Sequence, residues 1–147
     1  MPVKNIAHDN AREAFKKIED VKRCDVKIQK KYLSLVHGAD TFVHQCGLLQ
    51  TLAFYLSKDE KHHQLLTDQL LEFIGSEYLP DGNRMQGYKR LIGKEDSQLM
   101  TDTARIRKYL LWLKRYAEAM LDEEKQNNRG GENEENRNSR QPESQAS

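Results

Sequence analysis

Few residues in this 147-residue chain have the chemistry for catalysis, and their spacing is unhelpful. There are five histidines and two cysteines. His62 and His63 are adjacent, which on a helix points them about 100° apart and argues against a shared metal ion. Asp59 and His63, at i and i+4, would make a weak pair. Lys58, Glu60 and Lys61 around them read as a solvated face. His44 and Cys46 diverge on a helix, and Cys46 reads as a buried thiol. No phosphate loop, GxGxxG, HExxH or GxSxG motif is present. No arginine is followed four to six residues later by histidine, the spacing used by one group of helical ribonucleases. The expectation is therefore no catalytic residue, no metal, no cofactor and no small-molecule substrate.

Basic residues interleaved with aromatics are the stronger signal. Arg105, Arg107, Lys108, Lys114 and Arg115 surround Tyr109, Trp112 and Tyr116. On a helix, Lys108 and Arg115 lie opposite the apolar seam that runs from Leu99 to Met120. Arg107 and Lys114 share one flank, and the aromatics line the other near Arg105. Leu111 and Trp112 also face away from the seam. A helix packed on one side has no need of them there, so they mark a second, protein-contacting surface. Lys22, Arg23, Lys27, Lys30 and Lys31 form another basic cluster ahead of Tyr32–Val36. Such positions can hold phosphates without reading base sequence. The plain alternative is solubilising charge around core aromatics.

The elements that must position these residues read as helices throughout. Proline occurs only at positions 2, 80 and 142, so most of the chain lacks helix breakers. No stretch alternates as a strand would. A first helix is expected over about Asp9–Cys24, capped by Asp9 or Asn10, with Ala11, Ala14, Phe15, Ile18 and Val21 inward. Glu13–Lys17 and Glu19–Arg23 are placed to support its outer face. A second should cover Val26–Val36, with Gly38 breaking or kinking the path. The third, Asp40–Ser57, carries two apolar stripes: Phe42, Cys46, Leu49, Ala53 and Leu56, and beside it Leu48, Leu52 and Tyr55. Gly47 inside it implies close packing of another helix, since glycine there costs about 1 kcal/mol. Asp59–Ile74 is the fourth, with Leu66, Leu70, Phe73 and Ile74 inward and Gly75 at its end. Leu79-Pro80-Asp81-Gly82-Asn83 is a turn, followed by a short helix near Met85–Ile92. The last helix starts at Asp96 or Ser97 and reaches Leu121. Its seam, Leu99, Thr103, Ile106, Leu110, Leu113, Ala117 and Met120, is sustained over three heptads.

Composition divides the chain at residue 121. Residues 122–147 contain a single apolar side chain, Ala146, with seven acids and four bases. Nothing there can offset ordering entropy, so a disordered tail is expected. The body, 1–121, is one helical bundle domain of five to six helices carrying 20 bases and 16 acids. The net charge of +1 averages a mildly basic body with an acidic tail. No run of about 18 apolar residues could span a membrane. No secretory h-region opens the sequence, and the two cysteines suggest no disulfide framework. The expectation is a soluble, cytoplasmic protein of a reducing compartment.

Three segments carry a resemblance: Lys31-Tyr32-Leu33-Ser34-Leu35-Val36, Gly47-Leu48-Leu49-Gln50-Thr51-Leu52-Ala53-Phe54, and Tyr109-Leu110-Leu111-Trp112-Leu113-Lys114-Arg115-Tyr116-Ala117. In order and spacing they resemble the small helical subunit of type III-B CRISPR effector complexes, the fifth protein of the Cmr module. The likeness covers roughly residues 8–121. It implies an all-helical, non-catalytic subunit that stacks in several copies beside a larger backbone subunit. It also implies that the stack lines the groove holding guide RNA and target RNA, with target cleavage performed by the backbone subunit. Lys31, Lys114 and Arg115 fall inside matching segments. Arg105, Arg107 and Lys108 join them by helix geometry. Two other readings stand beside this one. One is a helical adaptor that contacts only protein, and the other is a small metal-dependent enzyme using His62, His63 or His44.

Overall fold

In the computed structural model, residues 5–121 are described, and every regular element among them is helical. The segment 122–147, expected to be disordered, lies outside the described residues. Six α-helices run in the order α1 (Ile6–Lys22), α2 (Val26–Cys46), α3 (Leu48–Leu56), α4 (Lys61–Ile74), α5 (Arg84–Ile92) and α6 (Asp96–Met120). Two single-turn 3-10 helices, Ser76–Tyr78 and Pro80–Gly82, fill the turn between α4 and α5.

Most boundaries follow local chemistry. Asp25 caps α2 by accepting from the Ile28 N–H at 2.9 Å, and Asn83 caps α5 by accepting from Gln86 at 3.0 Å. These are short polar residues at positions where a helix leaves N–H groups unpaired. α1 begins earlier than the sequence suggests. Asn5, rather than Asp9 or Asn10, is its cap and accepts from the His8 N–H.

The main departure lies between Val26 and Leu56. α2 runs unbroken through Gly38, and the chain turns at Gly47 instead. Gly47 has φ 84° and ψ 162°, a region that is almost glycine-only. Its N–H donates to the Val43 carbonyl, and its own carbonyl accepts from both the N–H and the hydroxyl of Thr51. One residue thus closes α2 and opens α3. A Cβ on Gly47 would meet nothing within 4 Å, so close helix packing is not its reason. That role belongs to Gly87, where an added Cβ would fall 1.7 Å from the Tyr78 carbonyl oxygen.

The core sits where α6 packs on α1 and α2, with α4 closing the other side. The α6 seam is inward as expected, with Ile106, Leu110, Leu113 and Ala117 all buried. Of the two stripes assigned to residues 42–56, only Leu48, Leu52 and Tyr55 is buried. Cys46 and Ala53 are exposed, and Phe42, Leu49 and Leu56 are half-buried. Cys46 is therefore an accessible thiol, contrary to the buried one expected. The break at Gly47 changes the helical phase, so one continuous stripe cannot face the core on both sides of it. On α1, Phe15 is half-exposed and lies edge-on to Tyr116, with ring centroids 5.3 Å apart. Lys17 bridges Glu13 on α1 and Glu72 on α4. Among the described residues, the partner of Arg23 is Asp20, at 3.4 Å.

Candidate nucleic-acid interface

α6 is 25 residues long, and its inward seam fixes what the rest of it presents. Lys108, Leu111 and Arg115 are exposed on the side opposite the seam. Lys108 and Arg115, seven residues apart, stand about 10.5 Å apart along the axis. Lys114 is half-buried on the adjoining flank. Arg115 reaches Glu118 at 3.8 Å while remaining 74% exposed. Among the described residues, neither Lys108 nor Lys114 pairs with a carboxylate.

The other three basic candidates are engaged within the chain. Arg107 holds Asp40 of α2 through two hydrogen bonds, at 2.8 and 3.5 Å. Those bonds raise its pKa further, so it is always charged. Arg105 lies 5.1 Å over the Phe73 ring and 3.6 Å from Asp102. Lys31 lies on α2, 3.8 Å from Glu60 at the start of α4. The six candidates therefore divide into an outward stripe of Lys108, Lys114 and Arg115 and three residues that also tie helices together. The α6 aromatics divide as well. Tyr109 is fully buried and stacks on Phe73 with centroids 4.0 Å apart. Burial pushes its phenol pKa up, with Glu13 and Glu72 adding to the shift. Trp112 is half-buried against Tyr116, with centroids 5.7 Å apart. Leu111 is the more open of the two interface candidates, at 48% exposure.

A second site was hidden by the assumption of a continuous solvated helix face. His62 and His63 are both buried, and their ring centroids lie 4.2 Å apart. They do not diverge into solvent, because α2 and α3 pack on α4 and the Tyr55 ring of α3 lies 5.7 Å from His63 in the first turn of α4. Burial lowers the pKa of both rings. Glu60 and His62 border a shallow groove of about 430 Å³ that also includes Lys31, Phe42, Phe54 and Tyr55. The sequence signal that could have found this site is Glu60-x-His62-His63 directly after a turn.

These features define a class: a small all-α bundle that presents a basic stripe on its longest helix. The family model for CRISPR-associated protein (Cas_Cmr5) matches residues 6–120, and the chain belongs to this family. A solved structure described as a CRISPR-associated Cmr5 family protein from Thermus thermophilus matches with a TM-score of 0.68. It is 21% identical, and the match covers 82% of this chain and 100% of that one. The fold is therefore shared over nearly the whole described region. Family membership makes the chain a subunit of a type III-B CRISPR Cmr complex, with other Cmr subunits as its partners. No helix among the described residues is long and apolar enough to cross a membrane.

Proposed function

We propose that the chain is a non-catalytic structural subunit of the CRISPR ribonucleoprotein, acting in the cytoplasm in antiviral defence. Several copies stack beside the backbone subunit and line the groove for guide RNA and target RNA. Lys31, Arg105, Arg107, Lys108, Lys114 and Arg115 form the RNA-facing set, and Leu111 and Trp112 contact neighbouring protein. The observation that carries this reading is the outward stripe on α6, where Lys108 and Lys114 have no carboxylate partner among the described residues. Free ammonium groups on a rigid helix suit phosphates and carry no base preference. One copy offers few such contacts, so affinity must come from several copies held along one RNA.

The test replaces Lys108, Lys114 and Arg115 by glutamate and measures target-RNA binding by rebuilt complexes across a salt series. Weaker binding with a shallower salt slope and unchanged target choice is expected. Equal affinity and slope would refute the assignment. A second reading, a protein-only adaptor, is favoured by the open apolar groups Leu111 and Met100, which are 48% and 74% exposed. It predicts that the same variant fails to join the complex.

A further inference from the structure

We propose that Glu60, His62 and His63 form a binding site for one divalent transition cation of the Zn2+ class, with its open coordination facing the Phe42–Phe54–Tyr55 groove. This inference is independent of the RNA reading.

The donor set comes first. Each of the three residues offers one ligand atom, and these atoms all lie within 4.8 Å of one another. His62 Nε2 and His63 Nδ1 are each 3.9 Å from a Glu60 carboxylate oxygen. Around a tetrahedral ion with bonds of about 2.0–2.1 Å, ligand atoms sit roughly 3.3 Å apart. The two Glu60–histidine spacings exceed this by about 0.6 Å, and the Glu60 side chain, 47% exposed and without a capping hydrogen bond to α4, has room to move inward. Two imidazoles and one carboxylate form a borderline set suited to Zn2+, and leave a position open for water or an anion.

The second observation is an orphan. The His63 side chain is nine-tenths buried, and its Nδ1 has no hydrogen-bond partner. A buried acceptor or donor left unpaired is costly, and this nitrogen is directed towards Glu60. A cation between them would satisfy it. The ring of Tyr55, 5.7 Å from His63, helps hold that imidazole in place.

Two groups work against the ion. Lys31 lies 3.8 Å from the Glu60 carboxylate and must swing away when a cation binds. The α4 N-terminus adds positive potential. Together they predict modest affinity, and they also supply a gain-of-function test, because removing the Lys31 charge should tighten binding.

The experiment titrates Zn2+ into the isolated full-length chain against a chromophoric chelator, with Co2+ substitution to report coordination geometry by visible absorption. One saturable Zn2+ per chain is expected. Glu60→Gln and His62→Gln should each weaken it at least about tenfold, a scale that loss of even an outer-shell partner can reach. Lys31→Met should tighten it several-fold. A variant carrying glutamine at His8, His37 and His44 should bind as wild type. Should His63→Gln fail to fold, Glu60→Gln remains decisive, since that side chain is half-exposed. Absence of saturable Zn2+ binding by the wild-type chain would overturn the site, and so would wild-type binding by either Glu60→Gln or His62→Gln.

Discussion

Single residues decide several features that composition left open. Gly47 and Gly87 are both glycines within the packed body, yet they are required for different reasons. Gly47 needs its backbone angles, and Gly87 needs the space occupied by the Tyr78 carbonyl. Gly47→Ala should cost about 1–3 kcal/mol, the scale of backbone strain in that region. Gly87→Ala forces two backbones apart and should cost at least as much as ordinary overpacking, about 1–3 kcal/mol. Urea denaturation of the two variants checks both, and a neutral result for either removes its explanation. The buried phenols supply a pH signature. Burial raises the pKa of Tyr32, with Tyr109 adding to the shift and a Gln69 hydrogen bond opposing it, and burial likewise raises Tyr109. A folded-state pKa above the unfolded 10.0 means that the folded state resists phenolate formation. The associated stability is complete below about pH 10 and is lost as the pH rises further. Thermal melts above pH 10 should fall more steeply for the wild type than for Tyr32→Phe. Parallel curves would contradict that.

At the scale of elements, periodicity located the helices but not the joint between α2 and α3. α6 was legible because its seven-residue pattern is long and uninterrupted, and its start and seam agree with the structure. α5 and the Pro80 turn were legible from punctuation by proline, glycine and asparagine. The α2–α3 joint was not, because glycine type alone does not separate Gly38, tolerated inside a helix, from Gly47, which ends one. That ambiguity misassigned the core stripe. It now gives a contrast that can be measured. Leu52→Ala removes a fully buried side chain and should cost about 2–5 kcal/mol. Leu49→Ala, at a half-buried position, should cost clearly less. Equal losses would return Leu49 to the core and contradict the inward face of α3 formed by Leu48, Leu52 and Tyr55.

At the scale of the whole molecule, the bundle acts as a scaffold that turns one helix face outward. Tyr109 is locked against Phe73, and Arg107 is locked to Asp40, so α6 is fixed on both flanks while Lys108 and Arg115 remain open. The basic stripe was visible in the sequence because seven-residue spacing survives any detail of the fold. The ties of Lys31, Arg105 and Arg107 were not, since their partners Glu60, Phe73 and Asp40 lie on other helices or at their ends. The histidine pair was misread for the same reason: its burial is created by α2 and α3 packing over the start of α4.

Contact between the α6 stripe and RNA inside the assembled complex can be measured directly. Complexes carrying photoreactive guide RNA or target RNA are irradiated, digested, and mapped by mass spectrometry for RNA-linked peptides. Links to the peptide spanning Lys108–Arg115 are expected, repeated in the stacked copies and independent of target sequence. Complexes in which this peptide carries only protein–protein links, with RNA attached solely to other subunits, would contradict that contact.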